Sequence, residues 1–155
     1  MVSTRKRRKQ CEKLVQKFWH KLRHRMGDDP FAIAAEQSIS IMLHHEEENG
    51  RDDKRVAPSR FDPEALTIEI FVEALTRFWK ELFPGCPLAL QYRYVCWQEL
   101  WSYWHSHQFA PIYHVLGKEW KEYMDQFSGL SQAEKRYFSH YFASVATGVL
   151  KENAA

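Results

Sequence analysis

Apolar residues return every three to four positions along most of this chain, and the stretches that show this period are separated by short breaks carrying Gly or Pro. That period is helical. In residues 4–26, Cys11, Leu14, Val15, Phe18, Trp19, Leu22 and Met26 gather on one arc when each residue advances about 100°. Gly27 follows, a residue suited to ending a helix. Asp29 and Pro30 then read as N-cap and first helical position, opening a helix predicted to fade in His44-His45-Glu46-Glu47-Glu48. Residues 49–61 (NGRDDKRVAPSRF) are predicted to form a charged loop, the longest in the chain. Asp62–Pro63 repeats the opening signal and predicts a helix to about Phe83. The FPGCP turn leads into a helix from Leu88 to His107, and Pro111 opens another that ends near Phe127. Ser131 and Glu134 have the spacing of a capping box and start the last helix. No strand is expected, because the one alternating stretch, QYRYV, lies within helical periodicity. The expected fold is a single all-α domain over residues 1–155, with about six helices around a central one.

The central helix carries YVCWQELWSYWHSH. Leu90, Tyr94, Trp97, Trp101 and Trp104 form one stripe, and Tyr92, Cys96, Leu100 and Tyr103 form a second beside it. Gln91, Gln98, Glu99, Ser102, His105 and Ser106 make the only clearly polar strip. A helix apolar over more than half its circumference is a buried helix. The tryptophans are therefore assigned to a core, with Phe78, Trp79, Trp120, Phe138 and Phe142 as neighbours, in preference to a stacking platform or cofactor wall. Arg93 and His107 project from the buried arc, so each is expected to have a hydrogen-bonding partner.

Composition narrows the class. A chain of 155 residues, 45% hydrophobic and 15% aromatic, has ample material for one core. It has no apolar run of about 18 residues, so no membrane-spanning helix is expected. The basic start lacks the apolar centre of a secretory signal, which predicts a cytoplasmic protein, or a nuclear one in a eukaryote. Cys11, Cys86 and Cys96 have no CxxC spacing and read as free thiols.

Charge changes the picture more. Of 22 Lys/Arg, ten fall in residues 1–26 against Glu12 alone, a local balance of +9. The other twelve face nineteen Asp/Glu, a balance of −7. Lys6, Lys9, Lys13, Lys17, His20, Lys21 and His24 line the arc opposite the apolar one. Like charges at i, i+4 cost roughly 0.2–0.5 kcal/mol each, and a phosphate backbone would relieve that repulsion while releasing counterions. Arg5, Lys6, Arg7, Arg8, Lys9, Lys13, Lys17, His20, Lys21 and His24 are thus the candidate nucleic-acid-binding residues. Lys6-Arg7-Arg8-Lys9 also matches a nuclear-import patch. The same face could instead suit an anionic membrane surface or an acidic protein groove, or dock on the acidic remainder.

Metal and catalytic motifs are weak. His20 and His24 have helical i, i+4 spacing, but no Cys or carboxylate near them in sequence completes a site. The His44–Glu48 run, with Asp52 and Asp53, reads as a solvated acidic loop. The chain has no HExxH, paired ExxH, glycine-rich phosphate loop or GxSxG elbow. The expectation is a non-enzymatic helical accessory subunit without cofactor or metal, binding DNA or RNA independently of sequence within a larger nucleoprotein assembly. The alternatives are a protein–protein adaptor or inhibitor acting through its acidic surface, and a ligand binder using the tryptophan-rich interior.

Overall fold

The tryptophan helix, α4 (Leu88–Ser106), is the axis on which the other elements assemble. A computed structural model describes residues 4–45 and 57–149. Within them the chain is mostly helical: α1 (Thr4–Met26), α2 (Pro30–Glu36), α3 (Val72–Leu82), α4, α5 (Ala110–Leu116), a 3-10 turn (Gly117–Glu119), α6 (Trp120–Ser128) and α7 (Gln132–Thr147). No helix among the described residues is long and apolar enough to cross a membrane.

Burial of α4 follows its pattern. Trp97, Leu100 and Trp104 are fully buried and Trp101 nearly so. Trp97 meets the rings of Trp19 at 5.1 Å and Phe142 at 5.7 Å, both edge-on, and Trp104 meets Phe18 at 6.2 Å in the same way. Edge-to-face contacts set the positive ring edge against a negative ring face, so the cluster gains electrostatically as well as by area. These contacts bind α1 and α7 to α4.

The polar strip of α4 is also largely covered. Gln91 is buried and donates to Cys86 O at 2.9 Å, while Glu99 accepts from Ser59 Oγ at 2.8 Å. Gln98 reaches α7, and His105 reaches Tyr123 on α6. Arg93 has its expected partner, donating to Asp28 O at 2.6 Å. His107, just past the helix end, is exposed with its ring against Tyr103, so the burial that would demand a hydrogen bond does not arise.

Three strands, β1 (Ser40–His44), β2 (Ser59–Asp62) and β3 (Thr67–Phe71), form a small sheet in the order β1-β3-β2, where helix and loop were expected. The helix opened by Asp29 and Pro30 ends at Glu36, because Ser38 turns the chain at φ 59°. Ser40 to His44 then continue as strand, with β1 parallel to β3 and Ile41 opposite Ile68. Asp62 does cap backbone N–H groups, those of Glu64 at 3.0 Å and Ala65 at 3.2 Å. The structure it caps is a turn joining β2 to antiparallel β3, a use of Asp as common as helix capping. TIEIF, rich in β-branched and aromatic residues, fits a pleated surface, with Ile68 and Ile70 fully buried. Helix α3 begins only at Val72. Residues 46–56 of the expected acidic run and loop lie outside the described residues, and residues 59–61 belong to β2.

The segment expected from Pro111 to Phe127 is divided at Gly117, whose φ of 59° and ψ of −127° suit glycine and separate α5 from α6. The last helix has its capping box: Ser131 Oγ accepts from Glu134 N at 3.2 Å, and Glu134 Oε1 accepts from Ser131 N at 3.1 Å. Ser131→Ala removes the first of these and should cost about 1 kcal/mol in urea unfolding. An unchanged midpoint would mean that packing on α4 alone holds the first turn of α7.

Candidate nucleic-acid interface

Helix α1 is docked by one face and open on the other. Cys11, Val15, Phe18, Trp19 and Leu22 are buried against α7, α5 and α6, with Leu14 and Met26 partly buried beside them. Two hydrogen bonds fix the helix further: Gln16 donates to Tyr141 Oη at 2.6 Å, and Tyr137 Oη donates to Glu12 Oε1 at 2.7 Å. The only carboxylate on α1 is therefore engaged by α7.

The ten candidate residues divide by position around the helix. Lys6, Lys9, Lys13, Lys17, His20 and His24 are exposed on the outer arc, and Lys21 is half-buried at its edge. Each i, i+4 step along this arc rises about 6 Å, and 23 residues extend it to about 34 Å. Arg5 is exposed beside them. Arg7 and Arg8 lean the other way: the Arg7 guanidinium lies against Gly129, and Arg8 sits 4.8 Å above the Tyr137 ring. They belong to the docked side because 100° steps place them at the margins of the apolar arc.

Glu119, on the 3-10 turn, meets the strip from outside. Its Oε2 lies 2.7 Å from Lys21 Nζ and 3.2 Å from Lys17 Nζ. Hydrogen bonds from Lys21 and then Lys17 hold its carboxyl below the ordinary carboxylate value. Lys17 and Lys21 are thus partly neutralised. Among the described residues no carboxylate pairs with Arg5, Lys9, Lys13 or Arg23. Arg23 is absent from the ten, yet it stands five full turns beyond Arg5 and shares its row. The helical period alone would have found it. Arg25 lies on the docked side and donates to His114 O at 2.5 Å.

His20 and His24 line a shallow hollow of about 300 Å³ with Lys21 and Arg25. Among the described residues no third His, Cys, Asp or Glu joins them in a metal-holding group. The surrounding cations suit an anion.

Interior polar groups are committed to structure. Nδ1 of His105 lies 2.6 Å from Trp101 O, and Nε2 lies 2.8 Å from Tyr123 Oη. A carbonyl only accepts, so Nδ1 carries the proton and Nε2 accepts from the tyrosine. Desolvation pushes the His105 pKa down to about 3, and the ring is neutral. Part of the residue's surface is open, but both nitrogens are closed in by their partners. His140 is lowered too, by desolvation first and then by Arg136. It takes a hydrogen bond from Gln98 at Nε2 (3.2 Å) and faces Tyr94 Oη with Nδ1 (2.9 Å). Burial raises Glu99 above the ordinary value despite the hydrogen bond from Ser59. Compared with protein families, characterised proteins and solved structures, the chain gives no significant match.

Proposed function

We propose that this protein is a non-enzymatic helical module that binds nucleic acid through the outer arc of α1, as an accessory part of a larger nucleoprotein assembly. One observation carries this reading. A row of cations follows α1 along its length while the opposite face is locked into the aromatic core; Glu119 pairs with Lys17 and Lys21, and among the described residues no carboxylate pairs with Lys9 or Lys13. An isolated like-charged row repels itself along the helix. A rigid row held toward solvent keeps that repulsion until a polyanion arrives, and phosphates then gain by displacing their counterions. Backbone contacts of this kind carry no sequence information, so binding is independent of sequence. Such a module works where nucleic acid is, inside the cell.

The salt dependence of binding tests the reading. Because Glu119 already occupies Lys17 and Lys21, we count about four phosphates neutralised. The slope of log K against log salt should then be about −3.6 for duplex DNA and about −2.8 for a single strand. Lys9→Gln with Lys13→Gln removes two unpaired cations while nearly keeping helix propensity. The duplex slope should become shallower by about 2 units, with no change in thermal unfolding. Absence of binding at low salt, or a slope indifferent to both substitutions, would remove α1 as the phosphate reader. The adaptor reading would then take its place.

A further inference from the structure

A groove of about 510 Å³ opens between α4, α6 and α7, away from the outer arc of α1. Its volume lies within the range of small-molecule sites, about 300–1,000 Å³. Its apolar wall includes Trp101 and Phe127, with Phe109 at the mouth and 45% exposed. Its charged wall is formed by Lys135 and Arg136 of α7, both exposed. Among the described residues no acidic side chain lines the groove and no carboxylate pairs with either cation. Gln98 spends its amide N–H groups on Ser139 and His140, and among the described residues its carbonyl oxygen accepts no hydrogen bond. Two unpaired cations beside an exposed aromatic ring suit a ligand that is both flat and anionic.

We infer that this groove holds one unpaired nucleotide, its base against Phe109 and its phosphate on Lys135 and Arg136. The free Gln98 carbonyl can accept from an exocyclic amino group. A flat base gains from stacking on an aromatic side chain whatever its identity, in keeping with binding that ignores sequence. A base paired inside a duplex cannot enter, so the groove selects single strands or free mononucleotides.

The groove also adjoins the end of α1. Arg8 covers Tyr137, the neighbour of Arg136, and Arg7 lies against Gly129 between two groove-lining residues, Ser128 and Leu130. A strand leaving the outer arc at the N-terminal end of α1 and crossing Arg7 and Arg8 would arrive at the groove. This part rests on the nucleic-acid reading of α1, whereas the nucleotide chemistry rests on the groove alone.

The test uses the full chain with adenosine monophosphate, inorganic phosphate, a labelled single strand of about ten nucleotides and a duplex of equal length. Phe109→Ala and the pair Lys135→Gln, Arg136→Gln alter exposed side chains, and thermal unfolding verifies that each variant folds. Each should weaken single-strand binding about tenfold or more while leaving duplex binding, carried by α1, unchanged. Binding of the monophosphate that both variants lose would identify a free nucleotide as the ligand. Loss confined to the strand would identify an unpaired nucleotide within a chain. Either result supports the groove. Inorganic phosphate that binds as tightly as the monophosphate would overturn it, as would single-strand and monophosphate binding indifferent to both variants. Salt-dependent duplex binding with an indifferent groove would leave the α1 reading standing alone. Monophosphate binding without binding of either strand would sink the α1 reading and keep the groove.

Discussion

Trp97→Ala should lower the unfolding free energy by about 3 kcal/mol, the lower end of the 3–5 kcal/mol usual for an aromatic truncated in a core. The residue is fully buried between Trp19 and Phe142, so three helices would border the space left behind. Its indole N–H has no acceptor among the described residues, and a buried unmatched donor costs about 1–3 kcal/mol. Truncation removes that penalty along with the ring, which places the expected loss low in the range. At about 2–4 °C per kcal/mol for a chain of this size, thermal unfolding should fall by roughly 10 °C. Trp97→Phe keeps most of the volume and also discards the orphan donor, so it should cost about 1 kcal/mol. Trp97 is the informative choice because Trp101 also borders the groove. If Trp97→Ala left stability intact and abolished binding, the tryptophans would be a recognition surface and the core assignment would fail.

Acid should destabilise the fold through His105 before the lowered carboxylates contribute, while Glu99, raised by burial, acts with the opposite sign. Its pKa is about 3 in the fold against an ordinary 6.5, so the unfolded chain takes up a proton that the folded chain refuses. The stabilisation is fully present above pH 6.5 and is lost as pH falls toward 3. The whole interval corresponds to nearly 5 kcal/mol at 1.36 kcal/mol per unit, and the open part of the residue reduces the expected loss to about 3 kcal/mol. By pH 5 the loss should already be about 2 kcal/mol, because the unfolded chain is then mostly protonated while the folded ring is neutral.

His140 contributes with the same sign. Glu69, Glu119 and Glu134, all lowered, act only as pH falls further, from the ordinary carboxylate value of 4.5 downward. His105→Gln removes the titration and keeps an amide near Trp101 O and Tyr123 Oη. Urea unfolding at steps between pH 6.5 and 5 should show a weaker but flatter variant. A variant with the same pH slope as the parent would show that His105 is not the group responsible.

Helical periods and short-range caps accounted for much of the architecture. The apolar arc of α1, the buried stripe of α4, the Asp29 cap and the Ser131 box each depend on residues within a few positions of one another. The same period exposed the cation row and, followed further, Arg23. The sheet was not legible in this way. Asp62–Pro63 serves a turn as well as a helix start, and β1 gains its hydrogen bonds from β3, with Ser40 paired to Thr67. No local preference encodes that pairing.

The chemistry of individual residues divided along the same line. Which residues of α1 are cationic was plain from the chain, but which are available depended on Glu119, 98 residues from Lys21, and on the Tyr137 ring beneath Arg8. The polar strip of α4 resembled a solvated face until Ser59, 40 residues from Glu99, and Tyr123, 18 from His105, supplied partners that let it be buried. The groove combines residues from three helices and had no linear signature at all. Periodicity reports which surface of an element is apolar, because that energy is set by the element's own residues. Pairing of strands, neutralisation of charges and burial of polar groups depend on which surfaces meet, and that is settled only when the whole chain packs.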